Sequence, residues 1–155
     1  MSERHALPEA LSIDSGVVLA YLLGEESGQI ARDEILSREK GVYVSRVAVS
    51  ELFYVLCRRR GERYAREVVE VLLAGGRPAV ASSDEVDIEA GRYKCGRSVS
   101  LADCYVLAVA KVLKAAAVFG KREDDLAREL RRKPFDVDVV FLEDLTRRGR
   151  GSAEG

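Results

Sequence analysis

Leu11-Ser12-Ile13-Asp14-Ser15-Gly16-Val17-Val18-Leu19-Ala20-Tyr21-Leu22-Leu23-Gly24 reads as one strand, one turn and one short helix. Residues 11–14 are a short apolar run that ends in the turn signal Asp14-Ser15-Gly16, and residues 17–23 continue as a helix that Gly24 stops. A strand that feeds a helix through a tight turn is half of a crossover unit, and the same alternation returns along the chain.

Residues 29–40 are expected to form a second helix with Ile30, Ile35 and Leu36 near one face, and Gly41 leads into the β-branched and aromatic strand Val42-Tyr43-Val44. Ser45 is placed to cap a long helix that runs to about Arg60 and ends at Gly61. Residues 62–74 carry the cleanest amphipathic pattern. Glu62/Arg66, Arg63/Glu67 and Arg66/Glu70 are opposed pairs four apart, while Tyr64, Val68, Val71 and Leu72 build an apolar stripe. A weak strand at 78–81 follows, then a helix from the Ser83 cap to about Tyr93 and a helix at 101–113 opened by Ser100. The chain continues with a strand at 115–119, a helix at 122–133 halted by Pro134, and a last strand at 137–142. Such alternation calls for crossovers, hence an α/β fold with a mainly parallel sheet covered by helices on both faces. One domain is expected over 11–146, after an N-terminal arm at 1–10 and before a Gly-, Arg- and Ser-rich tail at 147–155 with a disordered composition.

Hydrophobic residues make up 47% and charged residues 33% of the 155, with no tryptophan, so the core is aliphatic and the balance is globular. The net charge is −1. Whole-molecule electrostatics therefore give no reason to expect a nucleic-acid partner, and local patches must supply any attraction. Cys57, Cys95 and Cys104 cannot all pair within one chain and are not spaced as metal ligands; Cys57 and Cys104 lie in apolar runs, where a reduced thiol packs as a small hydrophobe. The single histidine, His5, lies in the N-terminal arm, so a structural zinc site is not expected. Residues 1–10 are charged and contain Pro8, unlike a signal peptide, and no apolar stretch is long enough to span a bilayer. A soluble protein of a reducing cytoplasm is expected.

Three acids stand out. In open α/β sheets ligands collect outside the carboxyl ends of the strands, and Asp14 ends the first strand, where an aspartate equally suits the N-cap of the following helix. Glu51 has Val47, Ala48, Tyr54 and Val55 three and four residues away, so its carboxylate lies on or beside an apolar face where an unpaired charge is costly. A rim position or a distant arginine partner is the alternative. Asp103 has a capping-box spacing from Ser100, yet Val99, Val106 and Leu107 flank it at helical spacing. Three converging carboxylates without Lys or His in the same segments repel one another and stay partly protonated. A hard divalent cation such as Mg2+ removes that conflict, and a bound ion of this kind activates water and neutralises charge on a phosphodiester.

Asp14-Ser15-Gly16-Val17-Val18-Leu19-Ala20-Tyr21-Leu22-Leu23 resembles the opening strand and helix of PIN domains. Val44-Ser45-Arg46-Val47-Ala48-Val49-Ser50-Glu51-Leu52 resembles their second acidic motif, and Ser98-Val99-Ser100-Leu101-Ala102-Asp103-Cys104-Tyr105-Val106-Leu107-Ala108-Val109-Ala110 resembles the third. None of these is specific alone, but they come in order at suitable spacing across about residues 12–142. The resemblance implies a flavodoxin-like arrangement with a parallel sheet of about five strands. It also implies a Mg2+- or Mn2+-dependent endoribonuclease that leaves a 5′-phosphate, with Asp14, Glu51 and Asp103 as catalytic, metal-holding acids. The compact size and the third motif resemble the VapC-like toxins of prokaryotic toxin–antitoxin pairs, which implies a homodimer silenced by a small antitoxin. The pattern departs at the fourth acid, which PIN domains usually carry just after the fourth strand, often in Thr-x-Asp. Here Phe119-Gly120-Lys121-Arg122-Glu123-Asp124-Asp125 has no threonine. Glu123 is the best candidate for the catalytic and metal-holding role, Asp125 the next, with Asp124 between them, although a helix dipole favours first-turn acids in any case.

An RNA substrate would need local positive charge, for which Arg46, Arg58–Arg60, Lys121-Arg122 and Arg131-Arg132-Lys133 are candidates against the ordinary reading of solvated faces. The apolar helices at 17–23 and 47–57 can serve a dimer or antitoxin contact, or simply the core. Ser15 and Ser100 flank the acids and can orient ligands. An acid–base route through histidine is closed, since His5 stands alone. Competing readings are a PIN-like scaffold without catalysis, which the altered fourth acid favours, and an RNA-processing PIN nuclease without an antitoxin. A phosphoacceptor receiver domain fits worse, because residues 13–15 offer one acid and residues 80–83 none.

Overall fold

The computed structural model describes residues 7–145. Most of the expected N-terminal arm and the whole tail at 147–155 lie outside the described residues. β1 (Leu11–Ile13) pairs in parallel with β2 (Val42–Ser45) on one side and β4 (Ala116–Phe119) on the other. β3 (Ala79–Ala81) continues the sheet beyond β2, and β5 (Val139–Phe141) beyond β4, again in parallel. The order is therefore β3-β2-β1-β4-β5. The flavodoxin likeness holds as a five-stranded, doubly wound parallel sheet. The strand order itself is that of the other common doubly wound arrangement, with its switch point between β1 and β4. Asp14 stands at that point, where open α/β sheets commonly bind ligands.

Helices cover both faces because successive strand residues point to opposite sides. Leu11, Ile13, Ala116 and Val118 pack with α1 (Ser15–Leu22), α3 (Arg46–Arg60) and Val69 of α4 (Glu62–Gly75). Ala117 and Phe119 face the other way, against α5 (Asp84–Gly96), α6 (Leu101–Leu113) and Leu126 of α7 (Asp124–Arg132). Ser12, buried between Leu11 and Ile13, is satisfied by donating to the carbonyl of Val106 at 2.8 Å. Ser45, Ser83 and Ser100 cap their helices as expected, accepting from the N–H groups of Ala48, Val86 and Asp103 at 3.0, 3.2 and 3.1 Å.

Element boundaries shift by a few residues in several places, as where α5 runs on to Gly96 and β5 is confined to Val139–Phe141, and two of the differences have a visible cause. The helix expected over 29–40 is a short α2 (Gly28–Ile30) that continues as a π-helical run, Ala31–Leu36. It ends early because the Ser37 hydroxyl and the Arg38 guanidinium take the carbonyls of Asp33 and Glu34 at 2.9 and 3.0 Å, and Arg38 also reaches the carbonyl of Pro8. The helix expected from 122 starts at Asp124, since residues 120–123 turn back over the end of the sheet toward the acids. Among the described residues no helix is long and apolar enough to cross a membrane. All three cysteines are free, with Cys104 buried and Cys95 exposed.

Candidate active site

Asp14 leaves β1 still bonded to the sheet, its N–H donating to the carbonyl of Val118 at 3.0 Å. Its Oδ1 accepts from the N–H of Val17 at 3.1 Å, which makes it the N-cap of α1. The same oxygen accepts from the N–H of Gly120, at the end of β4, at 2.9 Å. The cap reading of Asp14 is met, and the same carboxylate also joins α1 to the end of β4. Its second oxygen, Oδ2, has no donor among the described residues.

Glu51 sits half-buried on α3, six residues past the Ser45 cap, and the Ser15 hydroxyl donates to its Oε1 at 3.4 Å. Asp103 occupies the first turn of α6, where Ser100 holds its backbone N–H, so the capping spacing seen in the sequence is real. Its side chain is electrostatically coupled to the other acids. Burial pushes the Asp14 carboxyl up to about 7, and the charges of Asp103 and Glu51 add to it, against the lowering bonds from Gly120 and Val17. Burial also lifts Asp103 to about 6, with the charges of Glu123 and Glu51 adding and the Ser100 hydroxyl opposing. Glu51 is raised by burial and by Glu123, against the Ser15 hydroxyl.

Glu123 precedes α7 and is exposed, but its charge reaches both Glu51 and Asp103. Asp125 instead pairs with Arg128 at 3.5 Å on the outer surface. Among the described residues, no lysine, arginine or histidine is named in the electrostatics of Asp14, Glu51 or Asp103. The donor set is all carboxylate oxygen, which fits a hard divalent cation and not a soft one. Among the described residues, however, no three such side chains close on a common point as they stand. A bound cation would offset the mutual repulsion of such carboxylates.

Gly16 and Gly120 were not singled out by sequence reasoning, yet the site depends on their close approach. A Cβ on Gly120 would lie 2.6 Å from the carbonyl carbon of Gly16. Only their places, Gly120 directly after β4 and Gly16 in the turn that follows β1, could have drawn attention to them. The cationic candidates also sort themselves. Arg122 is tied to Asp144 and lies over the Phe141 ring, Arg132 is bound to the buried Glu129, and Lys121 stands 3.8 Å from Glu25. Arg46, Arg58, Arg59 and Arg60 of α3 have no carboxylate partner among the described residues.

A doubly wound α/β domain with an acidic cluster at its switch point is the class that fold and site define. The chain belongs to the PIN domain family, whose pattern matches residues 11–136. In fold it is similar to DNA-bound VapBC from Salmonella typhimurium, with a TM-score of 0.63 and 15% identity over 87% of this chain and 99% of that one. It is similar to VapC20 of Mycobacterium tuberculosis, described as a sarcin–ricin loop cleaving toxin, with a TM-score of 0.58 and 16% identity over 77% of this chain and 94% of that one. FitAcB from Neisseria gonorrhoeae gives a TM-score of 0.58 and 20% identity over 84% of this chain and 96% of that one. No curated protein matches the chain in sequence.

Proposed function

We propose that this chain is a metal-dependent endoribonuclease that hydrolyses RNA phosphodiesters, and that it is the toxin of a toxin–antitoxin pair. One observation carries the nuclease reading. Asp14, Glu51, Asp103 and Glu123 come from four separate segments and bear on one another's ionisation with no cation among them. Mg2+ or Mn2+ would be held by Asp14, Glu51 and Asp103, with Glu123 as the fourth acid. When bound, such an ion lowers the pKa of a water and neutralises charge developing on the phosphodiester. The chain's own residues prepare the site for it. Two backbone N–H groups fix Oδ1 of Asp14 and leave Oδ2 for a ligand, and Ser15 aims Glu51.

The toxin reading is supported by the company the fold keeps, which includes VapBC assemblies and a toxin–antitoxin complex from Klebsiella pneumoniae. A small antitoxin partner, a homodimeric state and a cytoplasmic location, where free thiols persist, belong to the same proposal. A scaffold without catalysis is the second reading, favoured by the carboxylates' failure to close on one point and by an arginine, Arg122, in the post-β4 loop.

Labelled structured and single-stranded RNAs, offered to the protein with Mg2+, Mn2+ or EDTA, separate the two. Metal-dependent cleavage that disappears in Asp14→Asn and Asp103→Asn supports the nuclease. No cleavage together with no metal binding by calorimetry supports the scaffold.

A further inference from the structure

We infer that Tyr54 and Arg58 form a nucleotide subsite, a stacking platform for single-stranded RNA that leads away from the acid cluster along α3. The inference deepens the nuclease reading and takes from it the position of the scissile phosphate.

Net charge is −1 for the whole chain, yet α3 carries Arg46, Arg58, Arg59 and Arg60 against Glu51 alone. Those arginines have no carboxylate partner among the described residues, whereas Arg63, Arg66, Arg122 and Arg132 are all engaged by acids. The last turn of a helix attracts cations through its dipole, so basic charge there is not by itself a site. The second observation is what makes it one. Tyr54 is left 45% exposed on the same helix, and the Arg58 guanidinium lies over its ring, 5.0 Å from the centroid.

Helical spacing joins this pair to the acids. Glu51, Tyr54 and Arg58 stand at i, i+3 and i+7, on one face, while Ala48, Leu52 and Leu56 take the core face. At 1.5 Å per residue Tyr54 lies about 4.5 Å and Arg58 about 10 Å along the axis from Glu51. That is the reach of the first two or three nucleotides beyond a scissile phosphate, at about 3.4 Å per stacked step. A base can stack on the tyrosine ring or on the guanidinium plane above it, and the same guanidinium offers its charge to the neighbouring phosphate. Stacking needs no particular base, so this subsite binds flexible single strands and leaves sequence choice to other contacts.

The test is anisotropy of a short fluorescein-labelled single-stranded oligoribonucleotide with the full-length protein in EDTA, over a salt series. Tyr54→Ala is expected to weaken binding about tenfold and Tyr54→Phe to retain it, as one lost base–aromatic stack requires. Arg58→Ala is expected to weaken binding and to lower the slope of log K against log salt by about 0.7, the share of one phosphate contact. Alanine variants that bind as tightly as wild type, or a protein that binds no RNA, would overturn the subsite. So would a shift from dimer to monomer in the double alanine variant by sedimentation, which would make this face a contact between copies. The two readings fail separately. RNA bound through Tyr54 and Arg58 but never cleaved sinks only the nuclease, while cleavage with unchanged KM and affinity in Tyr54→Ala sinks only the subsite.

Discussion

The backbone N–H of Gly120 donates to Oδ1 of Asp14 at 2.9 Å, joining residues 106 apart in the chain at the switch point of the sheet. The bond fixes the carboxylate on the β4 side while Val17 fixes it on the α1 side. It exists because Gly120, just past β4, and Gly16, in the first turn of α1, let the two backbones meet without a side chain between them.

Gly120→Ala is therefore expected to move backbone, not merely a side chain, since the new Cβ would stand 2.6 Å from the carbonyl carbon and 2.9 Å from the carbonyl oxygen of Gly16. Overpacking of that kind costs about 1–3 kcal/mol, to be read as a lower urea midpoint at unchanged m-value. Gly16→Ala is the milder neighbour. Its Cβ would meet the two Asp14 carboxylate oxygens at 3.2 and 3.3 Å, so weaker metal binding by calorimetry is expected before any loss of stability. Equal and negligible effects of both substitutions would remove the glycine contact from the account of the site.

Asp14 should cost the metal-free protein stability at neutral pH. Its carboxyl is raised from 3.8 to about 7, with burial the largest cause. A raised carboxyl contributes stability that is full below the unfolded value and is lost as pH rises through the folded one. Asp14→Asn keeps an acceptor for both N–H groups but never ionises. In EDTA the variant is expected to melt higher than wild type at pH 8, by about 2–4 °C for each kcal/mol recovered, with the gap closing toward pH 4. Added Mg2+ should raise the wild-type midpoint and leave the variant's where it was. A gap independent of pH between 4 and 8 would contradict the assignment.

Much of this was legible in the sequence. The alternation of strands and helices, and the caps at Asp14, Ser45, Ser83 and Ser100, depend on neighbours a few residues away and were read correctly. The acids were ambiguous in sequence because one residue can cap a helix and line a cleft at once. Asp14 caps α1 while the charges of Asp103 and Glu51 bear on it, and at the start of α6 the cap is Ser100, which leaves the Asp103 side chain to the acidic cluster. What could not be read was long-range. Nothing local marks Gly16 against Gly120, or shows that Arg132 of a charged run is spent on buried Glu129 while Arg58 meets no acid among the described residues. The helix expected over 29–40 stopped short because side chains of Ser37 and Arg38 took its last carbonyls, a choice periodicity does not reveal.

Glu123→Gln tests the fourth acid without relying on activity. The Glu123 charge raises Asp103 and Glu51, so removing it should bring Asp103 down from about 6 and Glu51 down with it, though burial remains the larger cause for both. Carboxyl carbon chemical shifts followed through a pH titration report each group. Asp125→Asn should leave both titrations in place, because that side chain is exposed and pairs with Arg128. The reverse pattern would hand the role to Asp125.

Glu129 is the opposite case, a buried acid whose charge is compensated. Only 6% exposed, it accepts from Arg132 at 2.9 and 3.2 Å and from Arg97 at 3.3 Å. Arg97 also donates to the carbonyls of Lys133 and Pro134 at 2.7 and 2.9 Å and lies over the Phe135 ring, so it ties the end of α7 to the link between α5 and α6. The bonds from Arg132 first, then Arg97, hold the Glu129 carboxyl down at about 2, against the upward push of burial. A lowered carboxyl contributes stability that is present above the unfolded value of 4.5 and is lost as pH falls through the folded one. Glu129→Gln should thus be less stable than wild type by a constant amount from pH 7 down to about 4.5, and by a shrinking amount toward pH 2. Urea midpoints at pH 7, 4.5 and 2.5 would show it. A difference that persisted undiminished at pH 2.5 would mean that packing of the side chain, not its charge, holds α7 in place.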